Sequence, residues 1–124
     1  MQIVPVPSLG TPRVPLSHAV KSGQHVFVSG ITPRTPDGQI ARGDFAAQMR
    51  QVMENIKVIL AAAGSSLDKV VKTNVILVRI GDFAQMNEIY KTYFAEGRYP
   101  ARTTIGAELA GQDFLLEIEC VAEA

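Results

Sequence analysis

The most informative segment of the chain is Tyr99-Pro100-Ala101-Arg102-Thr103-Thr104-Ile105, where a charged residue enters what otherwise has the pattern of a buried strand. Pro100 has no N–H and a fixed φ, so it suits the start of a strand and not its middle. The strand is therefore predicted to begin at about Ala101. Because side chains alternate between the two faces of a strand, Arg102, Thr104 and Gly106 are predicted to share one face.

A second alternating run lies at residues 114–122, with Glu117 and Glu119 on one face and apolar residues on the other. Residues 110–113 have turn chemistry, so the pattern predicts an antiparallel hairpin centred near Gly111. That pairing would bring Arg102 close to Glu117 or Glu119. An arginine beside a carboxylate forms either a structural ion pair or a site that binds an anionic ligand and keeps a base nearby, and the sequence leaves both interpretations open.

The composition predicts one packed domain spanning residues 1–124, because 47% of the 124 residues are hydrophobic. Twelve basic and twelve acidic residues cancel, so the chain lacks the basic surface that nonspecific nucleic-acid binding requires. No segment approaches about 20 apolar residues and the amino terminus has no signal-peptide pattern, which favours a cytoplasmic protein without a membrane partner. The single cysteine, Cys120, falls among apolar positions and is predicted to lie in the core.

Periodicity and capping residues predict the remaining elements. In chain order they are an extended arm with four prolines at residues 1–16, strands at 18–21 and 25–31, a helix between the N-cap Asp44 and Gly64, a strand at 70–78, and a helix that begins with a capping box at Asp82 and Gln85 and ends at Gly97. Two helices and five or six strands predict an α+β fold in which both helices cover one face of a mixed sheet. The uncovered face would carry Arg102, Thr104, Glu117 and Glu119, and would meet either water or another subunit.

Other common sites are not predicted. His18 and His25 are seven residues apart on strands and no cysteine pair accompanies them, so the sequence has no pattern typical of a metal site. It also has no glycine-rich phosphate loop. Asn87, on the second helix, is predicted to have a solvent-facing or capping role, with a position at the edge of the core as the alternative.

Several short motifs together resemble one family, the Rid proteins (reactive intermediate deaminases, also called YjgF or L-PSP proteins). The motifs run in order over essentially the whole chain and are Val28-Ser29-Gly30, Ala62-Ala63-Gly64, Val71-Lys72-Thr73, Asp82-Phe83, Asn87-Glu88-Ile89-Tyr90, Pro100-Ala101-Arg102 and Glu117-Ile118-Glu119. Each motif alone is weak, and the set is specific. The resemblance implies a homotrimer of chorismate-mutase-like subunits with ligand clefts between them.

The resemblance also implies a function, the cofactor-free hydrolysis of an enamine or imine to a keto compound and ammonia. Arg102 would then bind the carboxylate of a small-molecule substrate, and Glu117 would activate a water molecule. Ser29 and Thr104 would add hydrogen bonds, and Asn87 would help to shape the cleft.

The resemblance to the best-known deaminase branch implies a small 2-aminoacrylate-type substrate, which is kept as an alternative. The chain departs from that branch at three pocket positions, with Leu16, Ile31 and Thr104 in place of a tyrosine, a glutamine and a cysteine. A narrower similarity, to the 2-aminomuconate deaminase branch, rests on Thr11-Pro12-Arg13, on His18 ahead of Lys21 and Gly23, on Phe27-Val28-Ser29-Gly30 and on Arg102-Thr103-Thr104. It suggests that His18 contacts the second carboxylate of a dicarboxylic substrate, with a purely structural His18 as the alternative.

Two rival functions are kept beside the deaminase. One is a noncatalytic trimer that binds small carboxylates or acts as a chaperone, which would bind a ligand without releasing ammonia. The other is an endoribonuclease, which the balanced charge of the chain disfavours.

Overall fold

One mixed sheet and two helices form the fold. The computed structural model describes residues 1–124, with strands β1 (Gln2–Val4), β2 (Ala19–Ser22), β3 (His25–Ile31), β4 (Val70–Leu77), β5 (Ala101–Gly106) and β6 (Leu116–Glu123), and helices α1 (Phe45–Ala62) and α2 (Phe83–Tyr90). The strands lie in the order β1-β2-β3-β6-β4-β5. Only β4 and β5 are parallel, and every other neighbouring pair is antiparallel. The predicted α+β fold is confirmed.

Helix α1 covers the centre of the sheet. The side chain of Asp44 accepts a hydrogen bond from the Ala47 amide at 3.0 Å, as an N-cap should. Gly64, with a φ of 78°, follows the helix in the left-handed conformation that glycine tolerates best. The buried stripe of the helix consists of Phe45, Met49, Val52, Met53, Ile56, Ile59 and Leu60. The predicted helix and both of its ends are confirmed.

The strand β6 shows why one face of the sheet is apolar. Its alternate residues Leu116, Ile118, Cys120 and Ala122 are all buried in the core. Burial raises the pKa of the Cys120 thiol to about 12, so the residue stays uncharged and acts as a small apolar side chain. Its prediction as a core residue is confirmed.

The predicted hairpin between β5 and β6 is wrong. Strand β5 pairs in parallel with β4, and β6 lies on the other side of β4, between β4 and β3. Helix α2 connects β4 to β5, and a helical crossover of this kind allows two consecutive strands to run parallel and to pair. Both edges of β6 are then occupied, and residues 107–115 form a longer connection instead of a tight turn.

This strand order changes the predicted positions of two site residues. Thr73 of β4 lies opposite both Arg102 of β5 and Cys120 of β6. Directly opposite residues share a face of the sheet, so Arg102 and Thr104 lie on the helix-covered face. Their predicted place on the uncovered face is wrong, whereas Glu117 and Glu119 do lie there.

The amino-terminal arm contains a short strand that the sequence did not predict. This strand, β1, pairs with β2 at the sheet edge and is too short to show a periodicity.

Helix α2 differs from its prediction at both ends. Asp82 makes no side-chain capping bond. Its carboxylate instead accepts a hydrogen bond from Arg79 at 3.2 Å, so the predicted capping box is wrong. Helix α2 ends at Tyr90 and continues as a 3-10 turn, Lys91–Tyr93, before the predicted end at Gly97.

The fully buried amide of Gln48 joins α1 to two loops. Its Nε2 donates to the carbonyl oxygens of Ala41, at 2.9 Å, and Asp113, at 3.0 Å. Its Oε1 accepts a hydrogen bond from the Leu115 amide at 2.8 Å. The connection that leads into β6 is therefore held by a side chain of α1.

We expect Gln48→Met to lower the free energy of unfolding by about 1–3 kcal/mol, because it removes the three hydrogen bonds of a buried amide while keeping the side-chain length. Denaturant titration measures the change. The matched control is Gln85→Met on the exposed face of α2, which should change stability by less than about 0.5 kcal/mol. Equal effects of the two substitutions would show that the Gln48 bonds do not hold the loop.

Candidate active site

A pocket lies where α2 meets the start of β5. Its volume is about 450 Å³. Pro100 lies at its rim and starts β5, as the sequence predicted. The lining residues are Asn87, Glu88, Tyr90, Lys91, Tyr99, Pro100 and Arg102.

The guanidinium of Arg102 is surrounded by aromatic rings and a sulfur atom. Its Cζ lies 5.0 Å from the ring centroid of Tyr90 and 5.8 Å from that of Phe83. Its Nη1 lies 3.8 Å from the Sδ of Met86. None of the four ion pairs of the chain includes Arg102. The guanidinium therefore keeps a full positive charge and free N–H groups, which suits two parallel hydrogen bonds to a carboxylate.

Tyr90 is fixed in place beside this arginine. Its hydroxyl and the Oγ1 of Thr73 are hydrogen bonded at 2.8 Å in the buried interior. Its ring also packs on Phe94, with ring centroids 4.8 Å apart. Burial raises the pKa of Tyr90 above its ordinary value, so the side chain is a neutral phenol at physiological pH.

Glu117 lies on the opposite face of the sheet, against the backbone of Gly30. A β-bulge between Val28 and Ile31 contains Gly30, and a methyl group added there would overlap the Glu117 carboxylate. Burial, and to a smaller extent the neighbouring Glu119, raise the pKa of the Glu117 carboxyl. A carboxyl with a raised pKa can hold and release a proton nearer to neutral pH, as a general acid or base requires.

Arg102 and Asn87 are brought together by the structure, because both line the pocket. Thr104 follows Arg102 on the same face, and its Oγ1 is buried without a hydrogen-bond partner in the chain. Ser29 lies in the bulge beside Gly30, and its hydroxyl donates to the Ser17 carbonyl at 2.5 Å.

His18 lies away from the Arg102 pocket. Its Nε2 is 3.1 Å from the carbonyl oxygen of Gly10, which ties the amino-terminal segment to β2. The predicted residues thus form two groups on opposite faces of one sheet, one around Arg102 and one around Glu117.

Sequence analysis missed the part of α2 that surrounds Arg102. Phe83, Met86 and Tyr90 recur at helical spacing, which is the pattern of a helix face that packs on a core and does not by itself indicate a site. A signal was present, since a tyrosine in an apolar stripe needs a partner for its hydroxyl and Thr73 is the polar residue in the facing strand.

The structure contains neither a metal site nor a membrane-spanning helix. No three of the His, Cys, Asp and Glu side chains come close enough together to hold a metal ion. Neither α1 nor α2 is long and apolar enough to cross a membrane.

Comparisons with known proteins place the chain in a family. The family model described as endoribonuclease L-PSP matches residues 9–124. A RutC family protein of Pyrococcus horikoshii is 46% identical over 112 residues, which cover 90% of this chain and 88% of the relative. The chain belongs to the Rid (YjgF/L-PSP) family.

Other Rid relatives extend the comparison. The mouse 2-iminobutanoate/2-iminopropanoate deaminase is 38% identical over 109 residues, covering 87% of this chain and 80% of the relative. Escherichia coli TdcF, solved with bound serine, superposes on this chain with a TM-score of 0.91 at 34% sequence identity. The superposition covers 100% of this chain and 99% of the TdcF chain. These likenesses confirm the predicted family and fold. The cytoplasmic location stays a prediction, since some relatives are named as mitochondrial.

The environment of Glu117 predicts a pH-dependent stability. The pKa of the Glu117 carboxyl is higher in the folded state than in the unfolded state. Its contribution to the free energy of unfolding is therefore fully present below the unfolded pKa and is lost as the pH rises through the folded pKa. We therefore expect Glu117→Gln to raise the free energy of unfolding at pH 7, and the gain to vanish below about pH 4. Denaturant midpoints measured from about pH 4 to about pH 8 give the difference.

The control for this measurement is Glu96→Gln, at an exposed position. Its difference from the wild type should be nearly flat with pH. A Glu117→Gln protein that is less stable than the wild type at pH 7 would mean that the carboxylate is stabilised by contacts and not strained by burial.

Proposed function

We propose that the chain hydrolyses small imines or enamines that carry one carboxylate, giving a keto acid and ammonia without a cofactor. The observation that carries this proposal is the unpaired Arg102 guanidinium in a pocket large enough for a small molecule. The family supports it, because a relative named as a 2-iminobutanoate/2-iminopropanoate deaminase aligns with most of the chain. A solved relative that holds serine, which has a carboxylate and an amino group, is consistent with the same ligand class.

The charges around the pocket favour a substrate with a single carboxylate. Lys91 also lines the pocket, but its Nζ is 2.9 Å from the Oε2 of Glu88. Arg102 is therefore the one unpaired cation that this chain contributes to the pocket. A dicarboxylate such as 2-aminomuconate would need a second cation from another copy of the chain, and no relative reported above is named for that substrate. The 2-aminomuconate assignment, with His18 as a contact, stays a prediction and is included in the assay below.

The proposed reaction begins with orientation of the substrate. Arg102 binds the substrate carboxylate through two hydrogen bonds, and Asn87 limits the position of the adjacent atoms. Water adds to the imine carbon while Glu117 removes a proton from that water and passes it to the imine nitrogen, giving a carbinolamine. Glu117 then takes the proton of the carbinolamine hydroxyl and passes it to the amino nitrogen, so that the C–N bond breaks as the C=O bond forms and ammonia leaves. Ser29 and Thr104 supply further hydrogen bonds at the two sides of the site.

The proposed site needs two copies of the chain. Arg102 and Glu117 lie on opposite faces of one packed sheet, so they cannot contact one substrate molecule within a single chain. The uncovered face that carries Glu117 also exposes large apolar side chains, at Ile3, Phe27 and Ile105. Burial of this face against a second copy would remove those side chains from water. A homotrimer with a site at each interface meets both requirements.

The test is ammonia release from 2-iminopropanoate, 2-iminobutanoate and 2-aminomuconate generated in situ, measured above the buffer rate. We expect Arg102→Ala to lower kcat/KM by roughly 100-fold, because a bidentate hydrogen bond to a carboxylate contributes about 3 kcal/mol. Glu117→Gln should lower kcat while ligand binding is largely retained. Arg98→Ala, an exposed arginine outside the pocket, is the matched control.

Two outcomes would contradict the proposal. An Arg102→Ala protein with the wild-type rate would show that this guanidinium does not bind the substrate. Stoichiometric binding of the keto acid by the wild type, with no ammonia released above the buffer rate from any of the three compounds, would favour the noncatalytic carboxylate-binding function.

A further inference from the structure

Tyr90 connects the two strands that carry the arginine site. Thr73 on β4 and Arg102 on β5 are direct register partners. The Tyr90 hydroxyl is bonded to the Thr73 hydroxyl at 2.8 Å, while its ring lies 5.0 Å from the Arg102 Cζ. One side chain of α2 is thus attached to β4 at its tip and contacts the β5 arginine with its face.

The arginine needs such a support because no carboxylate of the chain orients its charge. An arginine has several rotatable bonds, β5 is an edge strand, and no carboxylate of the chain pairs with Arg102. An aromatic face attracts a guanidinium without using its N–H donors, so those donors remain free for a ligand. A carboxylate in the same place would orient the arginine but would also neutralise it.

Tyr90 is the best placed of the three groups around Arg102 to provide this support. Phe83 is 42% exposed and its centroid is farther away, at 5.8 Å. Met86 contributes a flexible thioether. Tyr90 is 4% exposed and is held on a second side by Phe94.

We infer that Tyr90 is the positioning residue of Arg102: its ring, which is packed against Phe94, holds the guanidinium at the pocket. The inference rests on the proposed function, in which Arg102 binds the substrate carboxylate. Tyr90 acts through Arg102, and its removal should weaken the binding of a carboxylate more than it slows the subsequent chemistry.

The experiment titrates 2-oxobutanoate, a keto acid of the proposed product class, into the assembled protein and follows binding by NMR. We expect Tyr90→Leu to raise the Kd by roughly tenfold, the range of a desolvated cation–π contact. Tyr90→Phe keeps the ring and should stay within about threefold of the wild type, and Thr73→Val should behave like Tyr90→Phe. The matched control is Tyr93→Leu, a half-buried tyrosine that is not among the groups around Arg102.

A double substitution separates positioning from a general loss of packing. If Tyr90 acts through Arg102, Tyr90→Leu should have no further effect on the Kd once Arg102→Ala is present. In the deaminase assay, Tyr90→Leu should raise KM by about the same factor as the Kd and change kcat by less than about threefold.

The results that would overturn the inference differ from those that would overturn the proposed function. If Arg102→Ala weakens 2-oxobutanoate binding but Tyr90→Leu, folded at the assay temperature, binds as well as the wild type, the positioning role is wrong and the proposed function stands. The positioning role is equally wrong if Tyr90→Phe loses as much affinity as Tyr90→Leu, or if the two effects on Kd add in the double variant. If Arg102→Ala itself leaves binding unchanged, the proposed function fails.

Discussion

The position of β4 between β5 and β6 is the constraint on which the proposed site depends. Thr73 is the register partner of Arg102 on one side and of Cys120 on the other. Because partners across a sheet share a face, the guanidinium must lie with the helices and the Glu117 carboxylate must lie on the far face. A densely packed sheet separates them, and no rotation of a side chain can bring them together. A reaction that uses both groups therefore requires a second copy of the chain.

Each of the two groups is kept without an opposite charge in its own chain. Arg102 is contacted by rings and a thioether, and Glu117 is half buried beside another glutamate, which together with burial raises its pKa. Both arrangements cost stability, because a partly buried charge without a counter-ion loses solvation. Such local exceptions to the rules of stability are expected at sites selected for binding or catalysis.

Most of the fold could be predicted from local patterns. Helix α1 has a long 3.6-residue period and clear signals at both ends, and the turn at Gly23 lies between two strand-like runs, so these elements need no tertiary information. The pairing of β5 could not be predicted in this way. Turn residues near Gly111 indicate that the chain bends, but the partner of β5 is chosen by the crossover through α2, which is a property of the whole topology.

The arrangement of the candidate site could be predicted only in part. Alternation singled out Arg102 and Glu117 and placed Glu117 on the correct face, and the resemblance to the Rid family then implied a role for each. The wrong hairpin then placed Arg102 beside it. Tyr90 could not be predicted as part of the site, because an apolar stripe does not show which of its members also contacts a charge at the sheet edge.

The central claim is that Arg102 of one copy and Glu117 of another act on the same substrate molecule. Its most direct test is to unfold Arg102→Ala and Glu117→Gln proteins together, refold the equimolar mixture and measure ammonia release. If the assembly is a ring of copies that mix at random, about one quarter of the interfaces regain both groups, so the mixture should recover about one quarter of the wild-type activity. A mixture no more active than the average of the two variants refolded separately would contradict the claim.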